Sequence, residues 1–510
     1  MDILLRNDKR LLVLPVIMSF LVVLILLYKF SYPISWDVYY HIHMIDLYMQ
    51  NGLTFWDYST VAPKGRLIMY PPLFHLIFAY TAKLLHISPR ILCLWAQPFF
   101  SAYLVGIITF AAYKITNVKT AFLTGFLSMF CFITFNRSVI CTPATIAIGL
   151  FLITLVYCYK GIEKNSIKYV AISAVSLALI WNLHMATALL TSGVIGLYLL
   201  VQLFKRNYVF SYMLCYVLIV LCVGFPWWIY IAMNYQLVFN SLSGADTIIT
   251  NFFFRYYGII PSALLLVGYY FIIKEKTILT EFLLITSLSL ILLSQIKYLG
   301  FNTVSIRILE VVSYTLIIIS GIGLTRIYEN ISTVRLKNIF VIIVVLLSVS
   351  SAVLYADSYV PDVLNENDSN GTLVDENIHI LINPVVTLFK PTVISSRFAD
   401  ADLAHDRYEV MQYFIKENSS QMLVSEDAIM DTIIVSTSRT PVVYGGFTES
   451  IPLYVTDPVH IIKGWSNKGE LHALNIGYLL LNHNTSTPYY AEIVTENNHY
   501  KICKIKEEYR

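Results

Sequence analysis

The sequence predicts a polytopic α-helical membrane protein whose C-terminal residues form an α/β domain outside the membrane. The 510-residue chain is 57% hydrophobic and 13% charged. Its mean hydropathy of +0.66 is too high for an ordinary soluble multidomain protein. The apolar residues are also grouped into stretches of roughly 20, the length that crosses a bilayer as a helix.

Eleven apolar stretches are predicted to span the membrane, and together they define a transmembrane domain over residues 1–355. They cover approximately residues 11–30, 91–112, 120–135, 142–159, 167–183, 186–204, 209–231, 256–273, 278–295, 304–324 and 337–355. The first stretch is long, very apolar and poorly followed by small residues. We therefore expect it to remain as an anchor rather than be removed as a signal peptide.

The distribution of basic residues predicts the orientation. With the N-terminus in the cytoplasm, 15 cations fall on the cytoplasmic side: Arg6, Lys9, Arg10, Lys114, Lys119, Lys160, Lys164, Lys168, Lys205, Arg206, Lys274, Lys276, Arg326, Arg335 and Lys337. The short outer loops hold Arg137, Arg255 and Lys297. Cytoplasmic loops of membrane proteins are enriched in Lys and Arg, so we expect a multi-pass plasma-membrane protein with a cytoplasmic N-terminus.

The stretch over residues 70–87 is predicted to be an amphipathic helix that lies in the membrane interface. It would belong to a long first outer loop, residues 31–90. The alternative is a twelfth span, which would invert every later loop and remove the asymmetry of the cations.

An odd number of spans places residues 356–510 outside the membrane as an extracytoplasmic domain. Residues 405–418 and 428–437 have helical apolar periodicity, and residues 421–425, 441–444, 477–481 and 500–505 are typical of strands. Residues 357–370 are acidic and rich in asparagine, as in a linker. The N-x-S/T sequons at Asn367, Asn370, Asn418 and Asn484 are compatible with exposure to a glycosylating compartment.

Polar residues gather at the outer ends of spans that are distant in sequence. They are Asp37 and His41 after span one, Arg137 after span three, His184 after span five, and Arg307 with Glu310 one turn inside span ten. Ionisable residues are costly at this depth and usually line a cavity. The sequence therefore predicts one functional site at the outer face.

Each of these residues also has a structural interpretation. Asp37 is either a functional carboxylate, able to act as a general base or to hold a cation, or the cap of a helix that begins at Val38. His41, four residues later on the same helical face, is either a substrate contact or a hydrogen-bonded structural histidine. Arg307 either binds phosphate, which suits guanidinium geometry, or pairs with Glu310. Arg137 is either a second phosphate contact or a flanking cation.

The sequence contains no HExxH or CxxC motif, and no phosphate-binding or dinucleotide-binding glycine motif. A metal site is therefore not predicted from the residues, and cytosolic nucleotide chemistry is not expected. The net charge of +3 follows from the topology and does not indicate a nucleic-acid partner. The substrates are expected to arrive through the membrane or from outside.

The segment over residues 36–75 resembles the first outer loop of archaeal oligosaccharyltransferase catalytic subunits, which are GT-C glycosyltransferases. The similarity lies in the runs WDVYYHIHMI, NGLTFW, GR and YPPLFH. It continues at Asn136-Arg137-Ser138, at Ile306-Arg307-Ile308 and over residues 408–446. The resemblance implies that Arg307 contacts the acceptor or the lipid phosphate.

Several motifs of that family are missing. The second acidic pair is replaced by residues 141–145, the outer-loop glutamate by residues 241–244, and the WWDYG pentad by residues 425–429. The first two changes remove most ligands for a divalent cation and the group that activates an amide. Bound Mg²⁺ or Mn²⁺ is therefore possible but not favoured, and the surviving residues resemble metal-independent GT-C enzymes.

The resemblance implies a glycosyltransferase that moves a sugar from a polyprenyl-phosphate donor to a glycan, lipid or protein acceptor at the outer face. Asp37 would be the base, Arg307 with Arg137 would neutralise the leaving phosphate, and His41, His184 and Glu310 would contact substrate. Two alternatives stay open. One is an atypical oligosaccharyltransferase for protein N-glycosylation. The other is an inactive paralogue that binds lipid-linked sugars or scaffolds envelope proteins.

The topology is testable by cysteine labelling from outside the membrane. We expect a membrane-impermeant thiol reagent to label a cysteine introduced at position 367 and not one introduced at position 164, because the two positions lie on opposite sides of the bilayer. Permeabilised cells, in which both positions should react, supply the control. Protection of position 367 in intact cells would place the C-terminal residues in the cytoplasm and refute the predicted outer site.

Overall fold

A computed structural model describes residues 8–206, 208–235, 249–300, 304–357, 364, 366, 401–445, 458–464 and 466–509. Over the described part of the chain up to Asp357, the structure is almost entirely helical. The predicted linker over residues 357–370, including the sequons at Asn367 and Asn370, lies largely outside these residues.

Sixteen helices precede residue 358 in the described part of the chain. They are α1 (Val13–Lys29), α2 (Asp37–Asn51), α3 (Leu73–Leu85), α4 (Pro89–Ile115), α5 (Val118–Phe130), α6 (Phe132–Ser138), α7 (Pro143–Glu163), α8 (Ile167–Trp181), α9 (Met185–Leu203), α10 (Val209–Ile219), α11 (Pro226–Asn234), α12 (Ile249–Asn251), α13 (Ile259–Glu275), α14 (Ile278–Ser294), α15 (Ser305–Asn330) and α16 (Val334–Asp357). A 3₁₀ turn over Lys9–Leu12 precedes α1, and π-helical segments cover Val220–Gly224 and Phe252–Tyr257.

The chain is a multi-pass membrane protein by the length and composition of its helices. Six described helices are long and apolar enough to cross a membrane, or up to eight if each of two bent pairs is one span. In the first pair, α5 and α6 are bent relative to each other by 80°. In the second pair, the helical segment Val209–Gly224, which includes α10, is bent relative to α11 by 61°. Each of the eleven stretches predicted from hydropathy overlaps a helix, but α8, α13 and α14 are short, so the count of eleven spans stays a prediction.

Helix α15 is the central helix of the bundle. It packs against α5, α13 and α14. Within its most apolar 18 residues, 94% are buried. The contact with α13 is close because both helices carry glycine there: a methyl group at Gly268 would overlap the backbone of Ile319, and one at Gly323 would overlap that of Leu264. Small residues that let backbones approach are the usual means of packing helices in a membrane.

The stretch predicted to lie in the interface forms α3, which is short and apolar. It packs against α2 and α4. The Leu73 N–H donates to the Asn182 carbonyl between α8 and α9. Helix α3 is therefore attached to the connection between α8 and α9, and its place in a membrane interface stays a prediction.

The described C-terminal residues combine helices with a four-stranded sheet. The helices are α17 (Ala401–Glu417), α18 (Ala428–Ser438), α19 (Pro458–Ile462) and α20 (Lys468–Ala473), and the strands are β3 (Met422–Ser425), β4 (Ile476–Asn482), β5 (Ala491–Glu496) and β6 (Tyr500–Ile505). The strand order is β3-β4-β6-β5; β3 and β4 are parallel, and the other pairs are antiparallel.

This region matches the predicted helices and three of the predicted strands. The fourth prediction, residues 441–444, is not a strand: Val442 makes only isolated bridges to Thr60 and Leu423. Strand β5 was not predicted. Five of its six residues are exposed, so it lacks the alternating apolar pattern on which strand prediction depends.

The first outer loop is joined to the C-terminal residues. Strands β1 (Trp56–Asp57) and β2 (Arg66–Leu67) form a small antiparallel pair in this loop. Just beyond β1, the Ala62 N–H donates to the Val442 carbonyl, and the Val442 N–H donates to the Ser59 carbonyl. The loop and the C-terminal residues therefore lie on the same side of the helical bundle.

A buried carboxylate stabilises this loop. Asp57 is fully buried and accepts hydrogen bonds from the Thr60 hydroxyl at 2.6 Å, the Ser59 N–H at 2.9 Å and His43 Nε2 at 2.9 Å. Burial raises the pKa of Asp57, but His43, Arg66 and Thr60 outweigh it and hold the pKa well below its usual range. This stabilisation is present above the ordinary carboxyl pKa and is lost as pH falls through the lowered value.

We expect Asp57→Ala to destabilise the protein, because it removes a buried carboxylate and leaves its donors without an acceptor. Loss of one member of such a cluster costs about 3 kcal/mol. The expected result is a fall of several degrees in the midpoint of thermal unfolding in detergent, with Glu492→Gln on the exposed strand β5 as the control. An unchanged midpoint would contradict a stabilising role for Asp57.

Candidate active site at the N-terminal end of helix α15

Asp37 and Arg307 meet at the end of the bundle where α2 and α15 begin. Asp37 is the first residue of α2, which follows α1 after a short connection, and Arg307 lies in the first turn of α15. Arg307 Nη2 lies 3.6 Å from Asp37 Oδ2. The two side chains are 270 residues apart in sequence, and the structure brings them together as an ion pair.

Glu310 extends this pair into a network. It lies one turn after Arg307 on the same face of α15, and its Oε2 is 3.6 Å from Arg307 Nη1. Its carboxylate also accepts from Arg137 Nε at 2.6 Å and from Arg137 Nη2 at 2.9 Å. Two parallel N–H···O bonds of this kind are the strongest geometry for an Arg–carboxylate pair. Glu310 therefore lies between the two arginines.

The backbone explains how Arg137 reaches Glu310. Helix α5 ends at Phe130, and the chain bends by 80° at Cys131 before α6 begins. Arg137 is the penultimate residue of α6 and is buried, with 4% of its surface exposed. The bend carries the guanidinium into the interior of the bundle, where its charge requires a partner.

His184 borders the same network. It is the N-cap of α9, and its Nδ1 accepts from the Thr187 N–H at 3.3 Å. Burial, followed by the nearby Arg137 and Arg307, lowers the pKa of His184 to about 3, so the ring is neutral near pH 7. Because Nδ1 accepts a hydrogen bond, the proton of the neutral ring lies on Nε2, which can donate to a ligand oxygen.

His41 is placed behind the network rather than at its surface. It is 5% exposed, and its Nδ1 lies 2.9 Å from Nε2 of His75 on α3. The two rings stack with centroids 5.1 Å apart. Burial, followed by the nearby His75, His184 and Arg137, holds the pKa of His41 well below its usual range. This position agrees with the hydrogen-bonded structural interpretation.

Tyr70 connects the two histidines. Its ring centroid lies 5.2 Å from that of His41 and 6.3 Å from that of His184. Neither Tyr70 nor His75 was predicted as a site residue. The runs that contain them were visible in the sequence, but only the packing of α3 against α2 shows which of their side chains approach the site.

The interpretation of Asp37 as a helix cap does not agree with the structure. Helix α2 begins at Asp37 itself, its N-cap residue is Trp36, and the Trp36 side chain makes no capping hydrogen bond. The Asp37 side chain is about one-quarter exposed, and that of Arg307 is about half exposed. These two side chains form the solvent-accessible part of the network.

The residues around Asp37 do not fit a divalent cation. Among the described residues, no group of three or more His, Cys, Asp or Glu side chains could hold a metal ion. The other carboxylate of the network, Glu310, is already shared by two arginines. A bound Mg²⁺ or Mn²⁺ prefers near-octahedral oxygen coordination, whereas Asp37 faces a guanidinium.

This arrangement can hold an anion and move a proton. Arg307 has a rigid fork of N–H donors suited to phosphate oxygens. The Asp37 carboxylate can accept a proton from a hydroxyl within hydrogen-bond distance. Both side chains are partly exposed at this end of the bundle, so a phosphate and a hydroxyl group can both reach them.

No protein-family model matches the sequence, and no curated protein matches it. Solved structures do. The chain is similar to apo ArnT from Cupriavidus metallidurans, with a TM-score of 0.62 and 11% identity over 97% of this chain and 96% of ArnT. It is also similar to the apo oligosaccharyltransferase of Archaeoglobus fulgidus, with a TM-score of 0.58 and 10% identity over 93% of this chain and 69% of that one.

A third similar structure is the arabinofuranosyltransferase AftD from Mycobacteria, with a TM-score of 0.61 and 12% identity. The match covers 99% of this chain but 40% of AftD. All three are GT-C glycosyltransferases. The chain therefore has the GT-C fold, which confirms the resemblance found in the sequence. Identities this low establish the fold and leave the reaction to be argued from the site.

Proposed function

We propose that this protein is an integral-membrane glycosyltransferase that transfers a sugar from a polyprenyl-phosphate-linked donor to an acceptor at the outer face of the plasma membrane. In this proposal eleven helices span the bilayer, residues 1–355 form the GT-C domain, and residues 356–510 form an extracytoplasmic domain. The acceptor is a glycan, a lipid or a protein.

One observation carries the proposal: Asp37 and Arg307, from the first outer loop and from the central helix, form a partly exposed pair at 3.6 Å. A carboxylate beside an arginine supplies both a proton acceptor and a phosphate-binding group. The similar structures support the choice of donor, because one is ArnT bound to undecaprenyl phosphate and another is an archaeal oligosaccharyltransferase in complex with dolichol-phosphate.

In the proposed reaction, the acceptor hydroxyl attacks the anomeric carbon of the donor sugar, and its proton passes to Asp37. The bond between the anomeric carbon and the phosphate oxygen breaks. Polyprenyl phosphate leaves with the electron pair of that bond, and Arg307 offsets its developing negative charge. His184 donates from Nε2 to an oxygen of the sugar or the phosphate.

Glu310, Arg137 and His41 hold these groups in position. Glu310 holds Arg307 and Arg137 together at the outer end of the bundle. Because Arg137 Nε and Nη2 both donate to the Glu310 carboxylate, Arg137 contributes mainly by fixing the position of Glu310. His41, bonded to His75, fixes α2 against α3.

Two other functions remain as alternatives. An atypical oligosaccharyltransferase would transfer the sugar to asparagine, but the sequence lacks the glutamate and the tryptophans associated with that reaction, and residues 241–244 lie outside the described residues. An inactive paralogue would bind a lipid-linked sugar without transferring it. The assay below separates this second alternative from a transferase.

We expect Asp37→Asn to reduce sugar transfer by about 10²–10⁴-fold, because Asn is nearly isosteric with Asp but cannot accept the proton. Transfer would be measured in proteoliposomes with lipid-linked sugars extracted from the native membranes as donor. Arg307→Ala should weaken carrier binding as well. Asp46→Asn is the matched control on the same helix, since Asp46 pairs with Arg439. Full activity of Asp37→Asn would show that Asp37 is not the base, and carrier binding without transfer by the wild type would favour the inactive paralogue.

We also expect transfer to continue in excess EDTA, because among the described residues no group of three or more His, Cys, Asp or Glu side chains could hold a metal ion beside Asp37. The measurement is the initial rate with and without chelator in the same proteoliposomes. Complete loss of activity in EDTA, restored by Mn²⁺, would show that this site binds a catalytic metal.

A further inference from the structure

The two arginines of the site are held very differently. Arg137 makes a bidentate contact with Glu310 at 2.6 and 2.9 Å and has 5% of its side chain exposed. Arg307 makes two single contacts, each at 3.6 Å, to Asp37 and to Glu310, and has 53% of its side chain exposed. Arg137 is therefore a fixed element, whereas Arg307 can exchange one partner without losing the other.

The charges of the four side chains balance. Asp37 and Glu310 offset Arg137 and Arg307, and the neighbouring His41 and His184 are neutral because their pKa values are lowered. A phosphate that enters this network adds negative charge. To bind, it must attract a guanidinium away from one of that guanidinium's carboxylate partners. Arg307 is the more exposed of the two arginines, and its contact with Asp37 joins the two more exposed side chains of the network.

We propose that the donor phosphate and the Asp37 carboxylate are alternative partners of Arg307. In the free protein, Arg307 pairs with Asp37. When the phosphate binds, Arg307 turns to it and remains beside Glu310 on the same helical face, while Asp37 is left without its cation. This inference rests on the function proposed above and assigns Arg307 a second role: it couples occupancy of the phosphate site to release of the base.

The consequence for the reaction is an order of events. A carboxylate that contacts a guanidinium is less accessible to a hydroxyl than an unpaired one, because the cation occupies one of its hydrogen-bonding sites. Asp37 therefore becomes available to the acceptor once the donor phosphate has taken Arg307. An acceptor hydroxyl, or water, that reaches the site before the donor meets a base that is still paired.

The test is a binding cycle with undecaprenyl phosphate, a carrier phosphate without sugar, added to the full-length protein in nanodiscs. If Asp37 competes for Arg307, Asp37→Asn should tighten binding by about two- to five-fold, the range of a partly exposed ion pair. In the Arg307→Gln background, binding should be weaker and the same Asp37→Asn change should have no effect.

The double substitution separates competition from simple charge repulsion. Removal of a nearby negative charge would also favour a phosphate, but that effect would persist without Arg307. The matched control is Asp46→Asn, which removes a carboxylate paired with an arginine on the same helix and should leave binding unchanged. No tightening in Asp37→Asn, or equal tightening in both backgrounds, would overturn the inference.

The results of this binding cycle distinguish a failure of the inference from a failure of the proposed transfer reaction. If undecaprenyl phosphate binds the wild type and the cycle shows no coupling, the inference fails while the glycosyltransferase proposal stands. If the coupling is present but the wild type transfers no sugar, the phosphate site is real and the inactive paralogue becomes the better description. If undecaprenyl phosphate does not bind at all, both the donor assignment and the coupling are refuted.

Discussion

The site depends on the contact between Glu310 and Arg137. Both side chains are buried at one end of the bundle, where an unpaired charge would cost several kcal/mol. The bidentate geometry satisfies Arg137 and leaves one Glu310 oxygen near Arg307. Because α6 and α15 are connected through this contact, the position of Arg307, and through it that of Asp37, follows from one buried ion pair.

Much of the helical organisation follows from simple properties of the sequence. Each predicted apolar stretch overlaps a helix because hydropathy over roughly 20 residues reflects the requirement that backbone hydrogen bonds be satisfied within the segment. The grouping of Asp37, Arg137, His184 and Arg307 at one end of the bundle follows from the same counting, since alternate connections lie on the same side. These features were predictable because backbone hydrogen bonds must be satisfied within each span and because successive connections alternate between the two ends of the bundle.

The pairing of side chains was not predictable in this way. Nothing in the spacing of Arg137 and Glu310 indicates that a bend at Cys131 joins them, and the contact between His41 and His75 requires α3 to pack on α2. Strand β5 was missed because its residues are mostly exposed, and residues 441–444 were mistaken for a strand because an apolar run was present. Such details depend on tertiary contacts that local patterns do not encode.

Helix α2 links the site to the C-terminal residues. At its first residue Asp37 pairs with Arg307, and at Asp46 it makes a bidentate contact with Arg439 at the end of α18, with both N···O distances at 2.8 Å. Helix α2 also packs against α18, and the loop after it bonds to Val442. The carboxylate proposed as the base is thus carried on a helix whose two ends contact different parts of the molecule. The C-terminal residues therefore contact the helix that carries Asp37, although none of the four residues of the network belongs to them.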